Sequence, residues 1–206
     1  TQGVSSAASD VYKRQNISLT DATALNLGAM TSTGNLQITA GGAVTNSGTM
    51  TIAGTTGVTA AGQNVALNQA GNDFTGAISV TGNDVTIADI NDLVLGTVTS
   101  TGNLSVTAGG NISETGISTV TGTSAFTVNG GAGKDVLLET QANSLTGGVT
   151  ITTAGGGTIR DIGLRNVSAT ANLAAIPTTG ASQRNLTVIF NSAPVSLPAT
   201  TISGNL

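Results

Sequence analysis

Three aspartates lie close together in the sequence, Asp84, Asp89 and Asp92, and could supply paired carboxyl groups. Two carboxyls held across a sugar hydrolyse glycosidic bonds. Polysaccharide lyases commonly need basic residues as well, and the nearest ones in sequence are Arg14 and Lys134. We therefore favour the alternative that Asp89 and Asp92, in their Asp-Ile-Asn-Asp setting, cap local turns through backbone hydrogen bonds.

A calcium-binding nonapeptide pattern, G-G-x-G-x-D-x-U-x, occurs once, over residues 130–138. In β-rolls calcium lies between consecutive turns, so one copy supplies half a site, and Glu139-Thr140 follows instead of a second copy. The same segment resembles a phosphate-binding loop, but Val128 stands at the leading glycine and Asp135 replaces the Ser or Thr that holds magnesium. We predict no metal site and reject the phosphate loop.

The composition excludes other kinds of site. The 206 residues include no Cys and no His, so disulfides and Cys/His metal sites are impossible. Six scattered basic residues and a net charge of -4 argue against nucleic acid as a partner. The sequence therefore predicts no catalytic residues, no cofactor and no small-molecule substrate. Hydrophobic residues make up 38% of the chain and charged ones 8%, which favours a folded chain.

Two further polar features are interpreted without a site. Arg160-Asp161 with Arg165 indicates a solvated edge. Asn-x-Ser/Thr triplets mark glycosylation in secreted proteins, but a chain this rich in Asn, Ser and Thr produces them by chance. They begin at Asn16, Asn103, Asn111, Asn166 and Asn185.

The amino-terminal segment differs from the rest of the chain. Residues 5–15 hold the only Tyr and two of the six basic residues. They resemble, residue for residue, the translation of an adapter used in tagmentation sequencing. We therefore treat residues 1–15 as an artefactual or disordered lead-in and exclude them from the fold prediction. A genuine basic lead-in is the alternative.

A long internal repeat follows. Residues 16–48 align with residues 84–116 without a gap, and 15 of the 33 positions are identical. They include the run TSTGNL at 31–36 and 99–104. Most other positions keep their class, as Ile17 and Val85 do. This repeat alignment predicts a repeat architecture.

A shorter pitch lies inside the long repeat. Apolar pairs two residues apart alternate with polar residues, as in half-buried strands. They recur about every 20 residues, beginning at Ile17, Leu36 and Val58 and again at Val85, Leu104, Phe126 and Val149. Units this short cannot bury an apolar face alone, whereas coils stacked with strands about 4.8 Å apart can. We predict an all-β parallel β-helix with coils of about 20 residues. A β-sandwich is the rival, but it does not require a fixed pitch.

Two stretches fit this pitch poorly. The interval from Val58 to Val85 is longer than one coil and shorter than two, which indicates an inserted loop or a different register. Beyond residue 168 the glycine turns thin out, and the chain contains Pro177, Pro194 and Pro198. We therefore divide the chain into regular β-helix repeats over residues 16–167 and a looser coil or connecting segment over residues 168–206.

Two segments carry a family resemblance. The runs LNQAGNDFTGAISVTG at 67–82 and TGNLSVTAGGNI at 101–112 resemble the repeats of filamentous-haemagglutinin-like exoproteins. The resemblance covers roughly residues 16–165. It implies a right-handed parallel β-helix, export by a two-partner or autotransporter route, and a place outside the outer membrane. It also implies an outer-membrane transporter, and receptors or glycans on host or neighbouring cells, as partners of the full-length protein.

Two functions are weighed from these observations. The favoured one is a non-catalytic shaft of a large secreted bacterial adhesin, which acts as a rigid spacer and cell-surface interaction surface. The alternative is a carbohydrate-active β-helix enzyme, a polysaccharide lyase or hydrolase. An enzyme requires a cleft with convergent acidic and basic residues. No such set is evident in the sequence.

Overall fold

The computed structural model describes residues 16–176, 184–198 and 201–205, so the proposed adapter segment lies outside the described residues. The described chain is all-β, without a helix, and none of its elements is a helix long and apolar enough to cross a membrane. The strands, in chain order, are β1 (Ile17–Asp21), β2 (Leu25–Leu27), β3 (Met30–Ser32), β4 (Leu36–Ala40), β5 (Val44–Asn46), β6 (Met50–Ile52), β7 (Thr56–Thr59), β8 (Val65–Leu67), β9 (Asp73–Phe74), β10 (Ile78–Gly82), β11 (Val85–Asp89), β12 (Leu93–Ser100), β13 (Leu104–Ala108), β14 (Ile112–Glu114), β15 (Ser118–Val120), β16 (Ser124–Asn129), β17 (Lys134–Leu145), β18 (Gly148–Ala154), β19 (Ile159–Asn166), β20 (Asn172–Ala175) and β21 (Asn185–Phe190).

The strands stack as a parallel β-solenoid of about eight turns with roughly 20-residue spacing, as the sequence predicts. Strands β1, β4, β7, β10, β12, β14, β17, β19 and β21 follow one another through a ten-stranded sheet, which also includes β15. An eight-stranded sheet runs β2-β5-β8-β11-β13-β16-β18-β20, and a short sheet runs β3-β6-β9. Every described strand pair is parallel, so each coil hydrogen-bonds to the coils above and below.

The core is a set of aliphatic columns inside these sheets. In β4, Leu36, Ile38 and Ala40 are buried while the residues between them are exposed, which is the alternation of a strand with one face inward. Ile38 pairs with Val58 in the next coil, and Val58 pairs with Val80. Each fully buried side chain of this size stabilises the fold by about 1.5–3 kcal/mol.

The structure corrects the predicted register inside the coils. Val58 aligns with Ile38 rather than with Leu36, whose partner is Thr56. In the second copy Phe126 likewise aligns with Val106, because Ser124 takes the earlier position. Thr56 and Ser124 are buried hydroxyl residues. A rule that seeks apolar pairs passes over them and starts each strand two residues late.

The misfit between Val58 and Val85 also has a structural cause. Val58 lies in the ten-stranded sheet, where its upper partner is Val80. Val85 lies in the eight-stranded sheet and pairs with Val65. The two residues belong to different faces, so the number of residues between them does not give the length of one coil. A different register, rather than an inserted loop, therefore explains the interval.

The two sequence copies occupy different faces. By the repeat alignment, β1 and β4 correspond to β11 and β13, yet the first pair lies in the ten-stranded sheet and the second in the eight-stranded sheet. Ten strands, β1 to β10, precede β11. Each of the first three coils places one strand on each of the three faces, which accounts for β1 to β9. Strand β10 then starts a fourth coil on the first face, so the second copy begins with β11 on the next face.

Parallel pairing continues beyond residue 168. Strand β20 pairs with β18, and β21 pairs with β19 over six residues. Pro194 lies in the segment after β21, which contains no strand as far as residue 198. Pro177 lies outside the described residues. The division at residue 168 stays a prediction.

Candidate functional site

The three aspartates singled out in the sequence have separate structural partners. Asp84 Oδ1 accepts a hydrogen bond from the backbone N–H of Asn103, at 2.9 Å. Asp92 Oδ1 accepts one from the backbone N–H of Asn111, at 2.7 Å. Both carboxylates therefore cap the coil above them. The expectation that Asp92 caps its own turn was wrong in this respect.

Asp89 is the buried member of the three, with 4% of its surface exposed. Its Oδ1 accepts the backbone N–H of Asn91 at 2.8 Å, which is the predicted turn cap. Its Oδ2 accepts the backbone N–H of Phe74 at 2.8 Å, in the coil below. Phe74 ends β9, the last strand of the short sheet. The carboxylate thus satisfies an amide that has no further strand to pair with.

Asp21 and Asp89 occupy equivalent positions in the two copies, and their carboxyls titrate differently. Burial raises the pKa of Asp89, and the nearby charges of Asp73 and Asp92 act in the same direction. In the exposed first coil, hydrogen bonds from the side chain and backbone of Thr23 lower the pKa of Asp21. Each carboxylate accepts the backbone N–H two residues on. The two differ in burial and in the hydroxyl of Thr23, which donates to Asp21 and has no counterpart in Asn91.

We expect Asp89→Asn and Asp21→Asn to change the pH dependence of stability in opposite directions. A carboxyl with a raised folded-state pKa contributes stability below its unfolded value, about 3.8, and loses it as the pH rises through the raised pKa. The stability of the native protein relative to Asp89→Asn should therefore grow on acidification from neutral pH. A lowered pKa has the reverse effect, so the stability of the native protein relative to Asp21→Asn should shrink on the same acidification.

Urea unfolding of the three proteins across this pH range measures both trends. Each variant serves as the control for the other, because both replace an aspartate that accepts the backbone N–H two residues on. Parallel pH profiles for the two variants would contradict the assignment of opposite pKa shifts.

A second buried carboxylate joins β14 to β17. Glu114 Oε2 accepts a hydrogen bond from Asn143 Nδ2 at 2.8 Å, and Oε1 accepts the backbone N–H of Gln141 at 2.8 Å. Asn143 Oδ1 accepts the backbone N–H of Ser118 at 2.8 Å, while Nδ2 also donates to Leu138 O. Burial raises the pKa of Glu114 against these hydrogen bonds. All these partners belong to the protein, so the group fastens a corner of the coil.

The calcium-like segment forms a glycine loop beside an ion pair. Gly130, Gly131 and Gly133 have φ angles of 88°, 72° and 64°, a region open to glycine at little cost. The Asp135 carboxylate pairs with the Arg160 guanidinium, and Arg160 Nε lies 2.9 Å from Asp135 Oδ1. A calcium ion would have to displace this arginine. No cluster of three or more acidic residues that could hold a metal occurs among the described residues.

The charged edge at Arg160-Asp161 continues this ion pair along the solenoid. Asp161 also pairs with Arg184 of the next coil, at 3.1 Å. Arg165 donates from Nε to Asn191 Oδ1 at 3.2 Å. These arginine side chains join successive coils at the surface, where water screens such contacts and keeps their contribution to stability small.

The asparagines of the Asn-x-Ser/Thr triplets have structural roles. Four of them, Asn16, Asn103, Asn111 and Asn185, accept a backbone N–H of the following coil through Oδ1. Asn166 is fully buried and accepts the backbone N–H of Leu145 at 3.0 Å. The side-chain amides of these asparagines therefore link successive coils through hydrogen bonds.

An open groove of about 350 Å³ crosses the outer surface of the ten-stranded sheet, where β12 stacks on β10. Glycines at 57 and 96 leave its floor without side chains, and the strand register shifts there between Ile78 and Val80. The remaining lining is neutral, with Gln37, Ser79, Thr97 and Thr115 supplying amide and hydroxyl groups. The groove can hydrogen-bond an uncharged group, but its lining includes no acid or base for catalysis.

A family model described as repeats of unknown function (DUF5649) matches residues 14–81 and again residues 82–152. The starts of the two matches, at residues 14 and 82, are offset as in the repeat alignment, and together the matches cover about two thirds of the chain. The chain belongs to this family. No curated protein and no solved structure matches it.

The two DUF5649 copies keep the buried corner and change its chemistry. In the first copy Asn72 takes the part of Asn143: its Oδ1 accepts the backbone N–H of Met50 at 3.0 Å. Its Nδ2 donates to Leu67 O at 3.2 Å, as Asn143 does to Leu138 O. The partner of Asn72 is the amide of Asn46, where the second copy has the carboxylate of Glu114. The corner is thus a recurring feature of these two repeats.

The groove does not recur in this way. Where β20 stacks on β18 at the end of the second DUF5649 copy, another register shift occurs, between Val149 and Thr150. The positions that correspond to glycines 57 and 96 are Ala125 and Ala174 there. The β10–β12 and β18–β20 junctions therefore share a register shift between stacked strands, but the glycines of the first are replaced by alanines in the second.

Proposed function

We propose that this chain is a non-catalytic segment of the shaft of a large secreted bacterial adhesin or exoprotein. In this role it is a rigid spacer that carries another part of the protein away from the cell, and its faces are interaction surfaces. The haemagglutinin-like runs in the sequence support the secreted location, the cell-surface partners and the outer-membrane transporter.

The observation that carries the proposal is continuous pairing across the boundary between the two DUF5649 copies. Strand β12 pairs with β10, and β11 pairs with β8, so both large sheets cross the boundary without a gap. The buried core likewise forms one cluster on both sides. A solenoid whose repeats share sheets and core resists bending at their junctions, as a spacer requires.

The enzyme alternative has less support. Asp84 and Asp92 hold the coils above them, and Asp89 and Glu114 are buried against backbone N–H groups. The groove on the outer surface is lined by uncharged residues. A lyase or hydrolase requires convergent carboxyl and basic groups facing a substrate. The described clefts provide no such set.

A tandem duplication tests the spacer. A second copy of residues 82–152 inserted after Thr152 reproduces the natural junction, because Thr152 corresponds to Thr81. At roughly 20 residues per coil, the insertion should lengthen the particle by about 17 Å, given about 4.8 Å between strands. Small-angle X-ray scattering should show this increase with an unchanged cross-section.

A scrambled insert of the same composition is the matched control, because it adds the same mass without the strand pattern. It should widen the distance distribution without extending the rod. The spacer proposal would be rejected if the true duplication increased the cross-section, or if its particle bent at the added junction.

A further inference from the structure

A column of hydroxyl side chains runs along the outer surface of the ten-stranded sheet. The strand registers place one hydroxyl residue from each of seven successive rungs in line. We call this set the threonine column. Its members are Thr20, Thr39, Thr59, Thr81, Thr99, Thr119 and Ser144.

The hydroxyls of the threonine column face outward. In each described strand the residues beside the column point inward, as Val58 and Ala60 do on either side of Thr59. No side chain of the column makes a hydrogen bond to another described residue. At the equivalent place on the eight-stranded sheet, Thr127 and Thr152 bond to each other through their hydroxyls, at 3.2 Å. The column therefore keeps its donors and acceptors for an outside partner.

The column is more than a reflection of the sequence repeat. Thr99 and Thr119 correspond by the repeat alignment to Thr31 and Thr51, which lie in the short sheet. Thr20 corresponds to Ala88, in the eight-stranded sheet. The change of face between the copies thus joins non-equivalent repeat positions into one line, and each of them supplies a hydroxyl.

The chemistry of this face restricts its partner. The neighbouring outward positions are uncharged. Ser18, Gln37, Gly57 and Ser79 are in register, and Thr97 and Ile117 directly precede the paired residues Val98 and Ser118. Seven rungs about 4.8 Å apart give a row of hydroxyls about 29 Å long. Threonine is stiff about χ1, so hydroxyl and methyl groups are held in place before binding. These features favour a partner that is uncharged, forms hydrogen bonds and is periodic along one direction.

We propose that this face binds the surface of ice. Oxygen atoms in hexagonal ice repeat along one crystal axis at nearly the spacing of paired strands, and each can donate or accept a hydrogen bond. Fixed hydroxyls can enter that lattice while the methyl groups lie in the hollows between the oxygens. No aromatic residue lies in either outward column to stack on a sugar ring. Ice binding goes beyond the spacer role and does not depend on it.

The experiment measures thermal hysteresis and partition into a growing ice surface for the full chain. The native protein should lower the freezing point below the melting point and enrich in ice. Thr59→Tyr places a bulky group at the third rung and should remove most of both effects. Thr127→Tyr is the matched control, because Thr127 corresponds to Thr59 in the second copy but lies on the other sheet. It should leave both effects unchanged.

Far-UV circular dichroism and thermal unfolding establish that each variant is folded. If Thr59→Tyr does not fold, the double variant Thr39→Val and Thr59→Val keeps the shape and removes two hydroxyls, and it should lower the hysteresis severalfold. The proposal is overturned if the native protein shows no hysteresis, if Thr127→Tyr loses as much as Thr59→Tyr, or if the face binds crystalline cellulose or chitin and not ice.

Discussion

Replacing Asn143 with alanine is expected to lower the free energy of unfolding by about 4 kcal/mol, because buried hydrogen-bonding groups would lose their partner. Asn143 is 1% exposed. Its amide serves the Ser118 N–H, the Leu138 carbonyl and the Glu114 carboxylate. Alanine leaves each of them without that bond and leaves a small cavity as well. Urea unfolding followed by far-UV circular dichroism measures the loss.

The first copy supplies a matched control in Asn72→Ala. Asn72 serves a backbone N–H and a carbonyl in the same way, but its side-chain partner is the neutral amide of Asn46. Losing a hydrogen bond costs a buried carboxylate more than a neutral amide, so Asn143→Ala should be the more destabilising variant. Adding Glu114→Ala to Asn143→Ala should recover part of the loss. A penalty below about 1 kcal/mol, or equal penalties in the two copies, would contradict this account.

The all-β solenoid was predictable because its causes are local and repeated. Alternation in runs such as Leu36–Ala40 indicates strands. The alignment of residues 16–48 with residues 84–116 indicates that they recur. A coil pitch of roughly 20 residues then leaves stacking as the way to bury short strands. All of this is confirmed by the structure.

The register and the change of face were not predictable by the same rule. Thr56 and Ser124 are inward positions that carry hydroxyls, and neither hydroxyl has a hydrogen-bond partner. Hydrophobicity gives no signal for such residues. The change of face follows from the number of strands in a copy, and that number emerges only after every short strand has been placed.

The buried corners were missed for a different reason. Asn72 and Asn143 lie among many asparagines of ordinary turns, and single residues of this type carry no mark of burial. A signal was available in the comparison of the copies, because Asn46 and Glu114 stand at equivalent positions and both are polar. In contrast, the turn cap by Asp89 was predictable, because its partner Asn91 is two residues away.

Replacing Gly122 with alanine is expected to destabilise the fold by about 3 kcal/mol, because a Cβ there overlaps the backbone of the coil below. That Cβ would lie 2.6 Å from the carbonyl oxygen of Gly102 and 2.5 Å from Asn103 Oδ1. Gly122 N–H donates to the same Gly102 oxygen at 2.8 Å, so the corner cannot open without losing this bond. Gly147 N–H in turn donates to Gly122 O above it, at 3.1 Å.

Comparison with a glycine that lies in open space separates a packing effect from the general cost of replacing glycine. Gly28→Ala is the matched control, because a Cβ at Gly28 meets no atom within 4 Å. It should change stability by less than about 0.5 kcal/mol. Denaturation of the two variants side by side decides the matter. Equal effects would mean that the coils do not approach each other at the Gly102–Gly122 corner as closely as described. A large loss confined to Gly122→Ala would establish that backbone contact sets the spacing of the solenoid there.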